Sequence, residues 1–75
     1  MRRDKLDILR DILTVCRNGR ARKTEITYKS NLNFSKTADY LNWLVFHDLL
    51  KKDGNFYEIT PEGISLLSNL NKIGK

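Results

Sequence analysis

The helical hydrophobic period of this chain is interrupted once, and that interruption restricts the fold more than any other feature. Up to His47, apolar residues recur at intervals of three and four, the spacing of one helix face. From Leu50 the pattern is that of strands: Leu50-Lys51-Lys52, then Asp53-Gly54-Asn55, then Phe56-Tyr57-Glu58-Ile59-Thr60. Asp-Gly supplies turn chemistry and Phe56, Tyr57 and Ile59 supply β-propensity, which predicts a β-hairpin over 50–60. Helical spacing resumes after it. Thr60 can cap, Pro61 suits a first helical position, and Glu62 favours the positive end of a helix.

Three helices precede the hairpin. Asp4 can cap the first, whose stripe is Leu6, Leu9, Ile12, Leu13 and Cys16, with Ile8 and Val15 flanking and Asn18-Gly19 as the stop. Arg20-Ala21-Arg22 then leads into Lys23–Ser30, where Ile26, Tyr28 and Lys29-Ser30 outline a helix of about two turns, dependent on packing. Asn31-Leu32-Asn33-Phe34 reads as a tight turn. Ser35 is a good N-cap for a helix over 36–47, with Thr37, Tyr40, Leu41, Leu44 and Val45 inward and Lys36, Ala38, Asp39, Asn42 and Trp43 outward. His47 falls in its last turn. In the final helix, Ile64, Leu66, Leu67, Leu70 and Ile73 form two adjacent apolar rows.

The order helix, helix, turn, helix, hairpin, helix is a winged helix-turn-helix, mainly α with a small β-hairpin, in one domain over 1–75. Such hairpins often pair with a very short strand, which the segment near Ala21 can supply.

Charge is unevenly placed. The chain has 14 Lys and Arg against 9 Asp and Glu, and a net charge of +5. Residues 17–36 hold Arg17, Arg20, Arg22, Lys23, Lys29 and Lys36 against Glu25 alone. Clustered cations attract a polyanion by releasing its condensed counterions. Cys16 is the only cysteine and His47 the only histidine, so neither an intrachain disulfide nor a structural zinc site is expected. Met1-Arg2-Arg3-Asp4-Lys5 is basic like the start of a signal peptide, but Asp7, Arg10 and Asp11 interrupt what should be its apolar segment. No apolar run approaches the roughly 20 residues of a membrane span, and a cytoplasmic protein is expected. Carboxylates are scattered, with none paired beside a nucleophile. A core this small leaves little room for a substrate-enclosing cleft. The expectation is binding without catalysis, cofactor or small-molecule substrate.

Four segments occur in order: Lys23-Thr24-Glu25-Ile26, Asn31-Leu32-Asn33-Phe34-Ser35, Tyr40-Leu41-Asn42-Trp43-Leu44, and Tyr57-Glu58-Ile59-Thr60-Pro61-Glu62-Gly63. Together, over about residues 6 to 70, they resemble the small archaeal winged helix-turn-helix DNA-binding and transcription-regulator proteins. The resemblance implies that the helix from Lys36 is a recognition helix and that the hairpin around Asp53-Gly54-Asn55 is the wing. The family's Gly after the recognition helix is Asp48 here, a residue that tolerates the left-handed conformation better than most.

On that reading double-stranded DNA is the partner. Outward side chains of a recognition helix meet base edges while flanking cations meet phosphates. Lys36 suits guanine or phosphate, Asn42 suits adenine, Ser35 lies near the backbone, and Ala38 shares the outward face. Asp39 fits least comfortably; it can accept from a cytosine amino group or hold Lys36 from one turn on. Lys51, Lys52 and Asn55 place the wing against phosphate or the minor groove. Arg20, Arg22, Lys23 and Lys29 are expected phosphate contacts. The competing class is a winged-helix protein-binding adaptor, which Asp39 favours mildly; RNA is a third, for which Trp43 and Phe46 are the plausible stacking residues. A homodimer through the first and last helices is also expected, with Leu66, Leu70 and Ile73 as a surplus apolar row.

Overall fold

Asp4 caps the first helix, α1 (Lys5–Arg17), its Oδ1 accepting the Asp7 N–H at 2.9 Å. The computed structural model describes residues 4–73, with side chains described for 4–72. The signal-like Met1-Arg2-Arg3 and the apolar side chain of Ile73 lie outside these. Leu9, Ile12, Leu13 and Cys16 are buried, whereas Leu6, in the first turn beyond the last buried position, is half exposed. Asn18 closes the helix, and Gly19 at φ 154 turns the chain into β1 (Ala21–Arg22).

The second helix, α2 (Lys23–Lys29), buries Ile26 and Thr27. Tyr28 is 88% exposed, because residues two apart on a helix do not share a face. Asn31 at φ 57 folds the turn, and Asn33 caps α3 (Phe34–Phe46), its Oδ1 accepting the Lys36 N–H at 2.7 Å. The expected cap, Ser35, therefore sits inside the first turn. Starting from Asn33 lets Thr37 bury its hydroxyl, which lies 2.8 Å from Thr27 Oγ1 and 3.0 Å from the Asn33 carbonyl. Thr27 Oγ1 also lies 2.7 Å from the Lys23 carbonyl. Two hydroxyl protons can fill two of these three contacts at a time, and the Thr27–Thr37 contact is the one that ties α2 to α3.

His47 is the C-cap of α3 and Asp48 follows at φ 59, the left-handed conformation that its place in the sequence required. β2 (Leu50–Asp53) and β3 (Phe56–Ile59) form the hairpin. Asp53 pairs with Phe56, so it is strand and not loop. Gly54, at φ 61, and Asn55 make the two-residue connection, with glycine where positive φ is needed. The antiparallel sheet has the order β1-β3-β2, with Ala21 opposite Tyr57 as the short strand near Ala21 was expected to be.

Thr60 then joins sheet to helix. Its Oγ1 accepts the Gly63 N–H at 3.0 Å, capping α4 (Pro61–Ile73), and donates to the Asp48 carbonyl at 2.6 Å. Leu67 and Leu70 enter the core with Leu41, Leu44, Leu50 and the α1 stripe. The row expected to be surplus is thus used within the monomer: α4 packs along α1 and β3, which buries Leu70 and half-buries Leu66, while Ile64 stays exposed. Cys16 is a buried small hydrophobe. Burial, with the Glu25 carboxylate adding to it, pushes its thiol from 9.0 up to about 12. Among the described residues no helix is long and apolar enough to cross a membrane.

Candidate nucleic-acid interface

Strand alternation decides which wing residues can act together. Lys52 stands opposite Tyr57 and Lys51 opposite Glu58, so the two lysines lie on opposite faces of the hairpin. Lys52, its Nζ 5.9 Å from the Tyr57 ring centre, joins Asn55, Arg22, Lys23 and Thr24 around a depression of about 310 Å³. Three cations from β1, α2 and the wing line it with no carboxylate. Lys51 is absent from that depression and borders another hollow with Val45, Asp48, Thr60 and Glu62, which Lys52 also touches.

Phe56 organises the cations beside the depression. The guanidinium carbons of Arg20 and Arg22 sit 4.7 Å and 5.1 Å from its ring centre. Arg20 also meets Asp53 at 3.5 Å, and Lys29 meets Glu25 at 2.9 Å one turn back along α2. Both are exposed pairs, of a kind that contributes roughly 0–1 kcal/mol, so neither removes its cation from competition for an anion. The depression itself needs no such exchange.

On α3, Ser35, Lys36, Asp39 and Asn42 are exposed, together with Trp43 and Phe46; Ala38 is half-buried. Lys36 and Asp39 line a hollow of about 360 Å³ with Tyr40, Trp43 and Lys5 of α1, but form no ion pair with each other. Trp43 and Phe46 lean on His47, ring centres 4.3 Å and 5.1 Å away. Lys23 reaches the N-terminal end of the same helix, its Nζ 5.9 Å from the Phe34 ring. The structure therefore gathers Arg22, Lys23, Lys52 and Asn55. It presents Ser35, Lys36, Asp39 and Asn42 on an adjoining helix, and sets Lys51 apart.

Four contributors escape a reading of the sequence. Phe56 and Tyr57 serve as strand residues by pattern, and only the pairing of β3 with β1 and β2 shows that Phe56 supports arginine and Tyr57 supports Lys52. Thr24 carries no local signal of its own. Lys5 lies far from Lys36 in sequence, and the two border one hollow only in the folded chain.

Residues 2–75 match the family profile described as winged helix-turn-helix. The uncharacterized protein MJ0290 of Methanocaldococcus jannaschii is 30% identical over 73 residues, 97% of this chain; the chain spans 35% of the length of that relative. The crystal structure of Sso10a-2, a DNA-binding protein from Sulfolobus solfataricus, superposes with a TM-score of 0.83 at 28% identity, covering 95% of this chain and 78% of the other. Lactococcus lactis ZitR superposes with a TM-score of 0.78 at 13% identity over 88% of this chain and 48% of its own, a likeness of fold alone.

Proposed function

Since this chain belongs to the winged helix-turn-helix family, we propose that it binds double-stranded DNA and acts in transcriptional regulation or DNA organisation. α3 enters the major groove and the wing lies along the backbone. One observation carries the reading: Arg22, Lys23, Lys52 and Asn55 converge on a carboxylate-free depression beside the exposed polar face of α3. The likeness to a DNA-binding protein at 28% identity supports it. Phosphates take the depression, Arg20 and Lys29; Asn42 and Lys36 meet base edges, with Ser35 and Ala38 close to the backbone. Asp39 opposes indiscriminate binding by repelling phosphate.

Titration of random duplex at two salt concentrations tests this. Each neutralised phosphate contributes about −0.9 to the log-log slope, so four or five contacts give roughly −4. Absence of binding at low salt, or a flat response, transfers the face to the second reading, a protein-binding adaptor. Phe46 and Trp43, 80% and 47% exposed on that same helix, are the observation that favours it.

Pairing of two copies through α1 and α4 belongs to the proposal, with Leu6 and Ile64 as the exposed apolar residues available there. It would present two recognition helices to successive turns of the duplex. Sedimentation at roughly tens of micromolar should give a dimer that Ile64→Asp dissociates; a monomer mass for the unaltered chain removes it.

A further inference from the structure

The basic depression does not end at Thr24. On the far side of that residue lies a second hollow, of about 590 Å³, lined by Thr24, Tyr28, Asn31, Asn33 and Phe34. Its two aromatic residues are held open: Tyr28 is 88% exposed and Phe34 55% exposed, and neither takes part in the core. Phe34 shares Lys23 with the basic depression, since the Lys23 Nζ lies 5.9 Å from its ring centre. A single path therefore runs from Lys52 and Arg22 through Lys23 to Phe34 and Tyr28. Glu25, the nearby carboxylate on α2, is already paired with Lys29 at 2.9 Å.

Exposed rings beside a run of cations suit a particular ligand. Cations hold a phosphate chain, and rings stack only on bases whose faces are free. A paired duplex offers no such faces except at its ends. We propose that Tyr28 and Phe34 form a stacking platform for unpaired nucleotides, so that a single strand leaving the basic depression places one or two bases in the α2–α3 hollow. The amide of Asn31 and the hydroxyl of Thr24 are polar groups at its rim. The inference rests on the assignment of the basic depression to phosphate, and adds to it a binding activity that duplex recognition does not use.

The test compares three labelled probes by anisotropy in the same salt: a single strand of about ten thymidines, an abasic strand of equal length, and a blunt hairpin duplex whose loop is a base-free linker. Tyr28→Leu and Phe34→Leu remove the flat rings and keep apolar bulk; Tyr28→Phe restores a ring. Thermal melting checks each variant, and Tyr28 touches so little of the core that its variants should melt with the unaltered chain. Each Leu variant should lose at least about fivefold in affinity for the thymidine strand, with Tyr28→Phe recovering it and the abasic strand and hairpin unchanged. The proposal falls if the thymidine strand binds no better than the abasic one, or if Tyr28→Leu weakens the strand and the hairpin alike. Failure of hairpin binding with the ring-dependent single-strand binding intact would instead overturn the duplex reading and leave this one standing.

Discussion

Gly63 offers the sharpest test of how the wing is held. In an isolated helix alanine is favoured over glycine by about 1 kcal/mol, so Gly63→Ala should stabilise α4 if nothing else intervened. A Cβ at this position, however, points at the Leu49 carbonyl oxygen and comes within 2.7 Å of Ile59 Cγ1. Carbon atoms in contact prefer about 3.5–4.0 Å, so something must move. Leu49 O is main chain and accepts the Thr60 N–H at 3.3 Å, and Asp48 O accepts Thr60 Oγ1 at 2.6 Å. Pushing α4 away strains both bonds. Overpacking costs about 1–3 kcal/mol and a weakened hydrogen bond about 1 kcal/mol, against the propensity gain of about 1 kcal/mol. The balance is a loss of about 2 kcal/mol, or a fall of roughly 8–16 °C in Tm for a domain of this size. Thermal melting by circular dichroism reads this, with Ser65→Ala, exposed on the same helix, as the control that should not fall. A Tm for Gly63→Ala at or above that of the unaltered chain would refute the close approach of α4 to the Leu49 carbonyl.

Three further outcomes are expected. Native Cys16 should resist thiol reagents at neutral pH and react only on unfolding. Because its thiol is held protonated when folded, the folded state binds more protons between 9.0 and about 12, and stability should fall as pH rises through that window; Cys16→Ala should flatten that part of the profile, and an unchanged slope would remove the cause. Thr37→Val should cost about 1 kcal/mol by removing one end of the Thr27–Thr37 contact, and denaturant melts that show no loss would mean the contact adds no net stability. Lys52→Ala should weaken preferred and random duplexes alike, whereas Asn42→Ala should reduce the preference between them by about 1–3 kcal/mol; equal effects on both duplexes would show that α3 does not read bases.

Local chemistry was legible wherever one residue type had one suitable place. Asp4 and Thr60 cap because each precedes an apolar stripe, and Asp48 takes the left-handed turn because the family's glycine position must. The hairpin was equally plain, although Asp53 belongs to its strand. Ser35 was misleading for a physical reason: Asn33 caps equally well, and only the buried Thr27–Thr37 contact fixes which begins α3. The Lys51–Lys52 division follows from strand alternation and could have been read. So could the Glu25–Lys29 pair, four residues apart. Arg20–Asp53 and the Phe56 stack could not, because they depend on β1 meeting β3 across the length of two helices. Leu70 reads as surplus in the sequence because the packing of α4 along both α1 and β3, which buries it, has no local signal.

That same meeting of β1 and β3 sets an order of events in folding. Arg22 pairs with Phe56, 34 residues on, and closing a loop of that size costs about 3 kcal/mol of chain entropy. The α2–α3 unit and the hairpin with its two-residue turn are local and carry far less of this cost. A two-residue strand cannot offset it alone, so β1 is expected to dock last and to open first, in a sub-global fluctuation that leaves the helices intact. Each opening would carry Arg22 away from Lys52 and dismantle the basic depression while α3 is still formed. Anion affinity would then fade on heating before helical signal does, and amide exchange in β1 would outrun exchange in the middle of α3. Identical exchange in the two would mean that β1 and the helices open only together.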